Sequence, residues 1–147
     1  MIGAEVKVAG VYWDSTSLIK RYIKEEGSEV VLKLFKEESR HFTSVISHAE
    51  ILATFHRLKR EGLISAKELE LLRQEFLIDW ENFAKVEYGS QVQAIAAEAI
   101  ETSALRGADL IHLSTCLDMK RKGLNLIFST FDKRLKNAAC DMELILS

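Results

Sequence analysis

Short runs of β-branched and aromatic residues alternate with longer amphipathic segments along this chain, and that alternation leaves few folds open. Val8–Trp13 reads as a buried strand. His41–Ser44, Ala84–Tyr88 and Leu124–Ser129 read as further strands, and Met142–Leu146 as a last one. The segments between them carry apolar residues at helical spacing. Ser15–Lys24 places Leu18, Ile19, Tyr22 and Ile23 on one face and stops before Gly27. Ser28 caps a second helix bearing Val30, Val31, Leu34 and Phe35. Ser47 opens a third, with Ile51, Leu52, Phe55 and Leu58 on one side and Gly62 as its stop. Ser65 opens a fourth, with Leu69, Leu72, Phe76 and Trp80 inward. Gln91–Leu105, Asp109–Lys122 and Lys133–Ala139 complete the set. Strands separated by helices favour a parallel sheet covered on both faces, the α/β class.

The 147 residues suit a single domain, 1–147, and contain no repeat, linker or low-complexity stretch. No apolar run is long enough for a bilayer. The first ten residues include Glu5 and lack the apolar core of a signal peptide. A cytoplasmic protein with no membrane partner is therefore expected. Cys116 and Cys140 match no zinc spacing and read as small core hydrophobes in a reducing compartment.

In parallel sheets of this kind, sites lie outside the carboxyl ends of the strands. Asp14 directly follows the first strand. Glu50 lies in the first turn of the helix after the second. Asp109 opens the helix that runs to Lys122, and Asp132 follows the strand ending at Ser129. Each acid has an ordinary alternative role. Asp is a good helix N-cap, and Ser47 with Glu50 spells a capping box. Ser15, Thr16, Ser17, Ser129 and Thr130 could cap without any acid, however, and parallel strands would bring the carboxylates to one edge. Crowded carboxylates raise one another's pKa unless a cation sits among them. An all-oxygen donor set suits Mg²⁺ or Mn²⁺ rather than zinc, and such ions can drive phosphodiester hydrolysis.

The net charge of −2 does not exclude a polyanionic substrate. With those four acids set aside as ligands, 20 Lys and Arg face 18 of the 22 acids. Basic clusters such as Lys120–Lys122 and Lys133, Arg134 and Lys136 sit on or just past helices, where solvated faces also place them.

The segments Asp14-Ser15-Thr16-Ser17-Leu18, Ser47-His48-Ala49-Glu50, Arg106-Gly107-Ala108-Asp109 with His112, and Ser129-Thr130-Phe131-Asp132 resemble the PIN-domain nucleases, in particular the VapC-type toxins of bacteria and archaea. The resemblance runs in order from Val11 to Leu146. It implies a three-layer α/β/α domain around a central parallel sheet. It also implies a metal site of Asp14, Glu50, Asp109 and Asp132, with Thr16, Ser17, Ser129 and Thr130 as polar support. The implied activity is a Mg²⁺-dependent endoribonuclease, a toxin silenced by an antitoxin protein and acting on RNA. A homodimer is expected from the same resemblance, and from apolar residues on Val30–Phe35 and Leu69–Trp80 beyond what one sheet face needs. The antitoxin would enter an apolar groove walled by Ser15–Lys24 and Ser47–Arg60. The chain departs from many relatives in a polar N-terminal extension, Met1–Lys7.

His112 lies three residues after Asp109 on the same helical face. It reads first as a packed core histidine and second as the partner of a site carboxylate. Arg106 reads as a surface ion-pair residue, with a phosphate contact as the alternative. His48 has no assigned role. Trp13, Phe55, Phe76, Trp80 and Phe128 read as packing. Two other nuclease-fold readings stay open: an RNA-processing enzyme without an antitoxin, and a non-catalytic scaffold. A phospho-receiver domain fits poorly, since it needs adjacent acids after the first strand and Asp14 stands alone.

Overall fold

The computed structural model describes residues 6–147. Residues 1–5 of the N-terminal extension lie outside that range. Among the described residues the strands are β1 (Gly10–Trp13), β2 (His41–Ser44), β3 (Ala84–Val86), β4 (Leu126–Ser129) and β5 (Ile145–Leu146). The helices are α1 (Ser15–Tyr22), α2 (Ser28–Glu37), α3 (Ile46–Arg60), α4 (Ala66–Asn82), α5 (Ser90–Ala99), α6 (Gly107–Arg121) and α7 (Lys133–Asp141). All strand pairs are parallel, in the order β3-β2-β1-β4-β5. The sheet is covered on both faces, as the alternation predicts.

Side-chain alternation along β1 sorts the two faces. Val11 and Trp13 enter one core with Leu18, Val31, Ile51, Phe55, Leu69 and Phe76, from helices α1 to α4. Tyr12 enters the other with Ile95, Leu113, Phe128 and Leu135, on the side of α5, α6 and α7. Trp13, Phe55, Phe76 and Phe128 are buried and Trp80 is packed against the first core, so the aromatic residues do pack as expected. Arg21 and Tyr22 both reach Asp79 at 2.7 Å, tying α1 to α4.

The strand order reverses beside β1. The first crossovers lead outward to β2 and β3, and the later ones return to β4 and β5 on its other side. Between β1 and β4 the loops at the carboxyl ends part in opposite directions and leave a crevice.

Several local expectations need correction. β1 starts at Gly10, where φ is +150° and a Cβ would lie 2.5 Å from the Arg40 carbonyl oxygen. Residues 8 and 9 therefore precede the strand. Gly27, not Ser28, caps α2, with φ +92°. Ser28 Oγ instead accepts from the Glu25 N–H and donates to the Ile23 carbonyl, bracing the α1–α2 turn. The Ala-rich helix ends at Ala99 rather than Leu105. Cys140 is exposed, while Cys116 is buried as expected. Helices α1 and α3 pack on one another. The apolar groove, about 290 Å³, lies instead between Tyr22–Lys24 at the end of α1 and Ile64–Leu72 around the start of α4.

Candidate active site

Asp14 ends β1 at the switch point and is buried at 1% exposure. It caps α1: Oδ1 accepts from the Ser17 N–H at 3.0 Å and from the Thr16 hydroxyl at 2.7 Å. Oδ2 accepts from the Thr130 hydroxyl, also at 2.7 Å. The alternative that neighbouring Ser and Thr residues cap in place of these acids is not what forms: Asp14 and Asp132 are the caps of α1 and α7, and the Thr16 and Thr130 hydroxyls donate to Asp14. Ser17 Oγ and Ser129 Oγ lie 2.8 Å apart. Asp132 likewise caps α7, its Oδ1 accepting from the Leu135 N–H at 2.9 Å.

The other two acids are not caps. α3 starts at Ile46 with Val45 at its cap and no side-chain cap bond. Ser47 is buried with its hydroxyl 2.7 Å from that of Thr43, so the Ser47–Glu50 capping box does not form. Glu50 Oε1 instead meets His112 Nε2 at 2.7 Å. Asp109 lies in the first turn of α6, whose cap, Arg106, makes no side-chain cap bond. The favourable end of the helix dipole faces the Asp109 carboxylate there.

Asp109 is electrostatically coupled to the other three acids. Burial pushes the Asp109 carboxyl above its ordinary range, and the carboxylates of Asp132, Asp14 and Glu50 push the same way, while His112 opposes them. Asp14 is raised chiefly by burial, against the pull of His112, the Thr130 and Thr16 hydroxyls and the Ser17 N–H. One carboxyl that feels all three others has each of them within electrostatic reach.

Beside Asp109 opens a cleft of about 260 Å³, lined by Leu105, Arg106, Asp109, Asp132, Lys133 and Arg134 among others. Half-buried Asp109 and Asp132 and exposed Arg106, Lys133 and Arg134 share its wall. Arg106 makes no ion pair among the described residues, contrary to the first reading of it. Lys133 and Arg134 belong to a basic cluster visible in the sequence, but their place in the wall depends on where α7 starts. His112 is both a buried residue and a carboxylate partner. Tyr12, whose hydroxyl is 2.8 Å from His112 Nδ1, had no sequence signal beyond its place in a buried strand. His48 packs against Trp80 and Phe76.

The donor chemistry suits a hard divalent cation. The four acids offer only oxygen, and the one imidazole among them is engaged at both nitrogens. Among the described residues no three His, Cys, Asp or Glu side chains are gathered closely enough to hold an ion as they stand.

Comparison with known proteins agrees with this architecture. Two proteins of Mycobacterium tuberculosis, Ribonuclease VapC45 and Ribonuclease VapC49, are each 26% identical to this chain over 129 residues, 88% of this chain and 88% of the relative. Among solved structures, VapBC2 of Rickettsia felis bound to a promoter DNA fragment superposes with a TM-score of 0.64 at 15% identity, over 93% of this chain and 96% of the other. FitAcB of Neisseria gonorrhoeae superposes with a TM-score of 0.65 at 16% identity, over 92% and 95%. The family model of the PIN domain matches residues 11–140, from β1 through α7, a span that takes in all four acids; the chain belongs to the PIN-domain family.

Proposed function

We propose that this protein is a divalent-metal-dependent endoribonuclease that hydrolyses RNA phosphodiester bonds and serves as the toxin of a toxin–antitoxin pair. The observation that carries the reading is a cleft lined by Asp109 and Asp132 with Arg106, Lys133 and Arg134, Asp109 being within electrostatic reach of Asp14 and Glu50. Buried acids alone would repel a polyanion. Acids that hold Mg²⁺ or Mn²⁺, next to Arg106, Lys133 and Arg134, would attract one. The names of the two Mycobacterium tuberculosis relatives and the VapBC pairing of the Rickettsia felis structure support the substrate and the partner.

Asp14, Glu50 and Asp109 would hold the cation, and Asp132 would complete the site from the cleft side. When bound, the ion supplies charge neutralisation at the phosphate and a more acidic water. Thr16 and Thr130 fix both oxygens of Asp14, so its carboxylate is oriented before the ligand arrives. Arg106 and Arg134 carry planar guanidinium groups able to pair bidentately with flanking phosphates. The two hydroxyls Ser17 and Ser129 bind each other behind Asp14 and brace the β1–β4 crevice.

The antitoxin partner is expected to neutralise the acids with a cationic side chain and to lay an apolar segment in the groove between α1 and α4. Inducing the wild-type chain in cells should arrest growth and create new RNA ends, and co-expressing the small protein encoded beside it should restore growth. Harmless expression with active nuclease in the lysate would instead favour the RNA-processing reading.

A homodimer is part of the same proposal. Leu71 and Ile78 on α4 are 56% and 66% exposed, and Val30 on α2 is 54% exposed, more apolar surface than a lone domain of this size needs. Light scattering at micromolar concentration should give twice the mass of the chain, and a monomer would remove the dimer from the account.

A further inference from the structure

We propose that Tyr12 and His112 are positioning residues for Glu50: the Tyr12 hydroxyl donates to His112 Nδ1, His112 Nε2–H donates to Glu50 Oε1, and the carboxylate is thereby held with Oε2 left for the cation. The inference rests on the reading of Glu50 as a metal ligand.

The donor directions follow from the chemistry of the three groups. An ionised carboxylate only accepts, so the 2.7 Å contact requires the proton on Nε2. With a neutral ring, Nδ1 then carries a lone pair. The 2.8 Å contact is satisfied when the Tyr12 hydroxyl donates to it. One tautomer meets every need, and the tyrosine selects it.

Packing alone does not call for these two polar groups. Tyr12 is 0% exposed and His112 is 1% exposed. Tyr12 stacks on Phe128 with ring centroids 5.6 Å apart, a role phenylalanine would also fill. Buried polar groups cost stability unless paired. Here the pairing leads from the central strand to one site carboxylate.

Glu50 also needs such a hold. Asp14 is fixed by three donors and Asp132 by the Leu135 N–H. Glu50 has an extra rotatable bond, and His112 is its one side-chain partner among the described residues. His112 stands one helical turn beyond Asp109 on α6, so the bond to Glu50 on α3 also links the helices that carry two of the acids. Groups that orient a ligand in this way are worth about 10–100-fold in metal affinity.

The test uses the full chain. Long-range ¹⁵N correlation spectra of the metal-free protein should show His112 as the Nε2–H tautomer, and the Nδ1–H form would overturn the relay. Mn²⁺ binding is then followed by electron paramagnetic resonance, alongside thermal melting. His112→Leu and Tyr12→Phe should each melt cooperatively and bind Mn²⁺ more weakly, by about 10–100-fold for His112→Leu. In His112→Gln the amide nitrogen can stand where Nε2 stands, so affinity should largely return. In His112→Asn, whose amide reaches only the Nδ1 position, it should not. A folded Tyr12→Phe that binds Mn²⁺ as tightly as wild type would refute the relay, and this arm decides even if His112→Leu fails to fold. If wild type itself takes up no Mn²⁺, the metal-site reading falls and the relay falls with it.

Discussion

Asp14→Asn and Asp109→Asn should each abolish RNA cleavage while the protein stays folded. The loss should exceed the roughly 10–100-fold typical of removing a group one bond further from a metal. Stability should survive because of how Asp14 is built in. An asparagine keeps an Oδ1 able to accept from the Ser17 N–H and the Thr16 hydroxyl, so the α1 cap is preserved. The Thr130 hydroxyl, which now donates to Oδ2, can rotate and accept from the new amide instead. Burial raises the pKa of both carboxyls, which means the folded state disfavours their ionised forms. An acid with a raised folded pKa subtracts stability above that pKa and stops doing so as pH falls through it. The neutral amides remove that burden, so the thermal midpoint of the metal-free protein should hold or rise. Asp14→Ala is a poorer probe, since losing the cap alone costs about 1 kcal/mol and strips two hydroxyls of their acceptor. Asp132→Asn should be milder, because Asp132 completes the proposed site from its margin on the cleft side. Cooperative melting with wild-type cleavage in either Asn variant at Asp14 or Asp109 would reduce that acid to a structural role.

The fold was legible because hydrophobic period and strand spacing both survive in a single sequence. His41–Ser44 needs no adjustment, and the alternation of elements is as read. What the sequence could not resolve was competition for the same hydrogen bonds. The pattern Ser-x-x-Glu occurs at Ser47–Glu50 and at Ser65–Glu68. Only the second forms a capping box, with both reciprocal bonds in place. The first fails because α3 already starts at Ile46, so Ser47 lies inside the helix with its hydroxyl bonded to Thr43 at the end of β2. Asp14 and Asp132 show a second ambiguity. Capping and ligation looked like alternatives, yet a carboxylate has lone pairs enough to cap with one oxygen and face the site with the rest. The link from Tyr12 through His112 to Glu50 is made of two bonds between residues 100 and 62 positions apart, and only the packed sheet and helices bring them together. Arg106 needed the cleft to be seen, since an exposed arginine before a helix is most often a solvated one.

Withdrawing divalent cations should have as large an effect as removing a ligand. The imidazole nearest the acids, His112, is buried and engaged at both nitrogens, so it is poorly placed to deprotonate a ribose 2′-hydroxyl. The residues that line the cleft are carboxylates, cations and apolar groups, which suit a phosphate held against a cation rather than metal-free acid–base transfer. Water attacking phosphorus expels the 3′ oxygen and leaves a 5′-phosphate. Attack by the neighbouring 2′-hydroxyl leaves a 2′,3′-cyclic phosphate. The most direct measurement is therefore end-group analysis of RNA incubated with the purified protein in Mg²⁺ or Mn²⁺, and in EDTA. The account predicts cleavage with either ion, 5′-phosphate and 3′-hydroxyl ends, and no cleavage in EDTA. Undiminished cleavage in EDTA, or products with 2′,3′-cyclic ends, would contradict it.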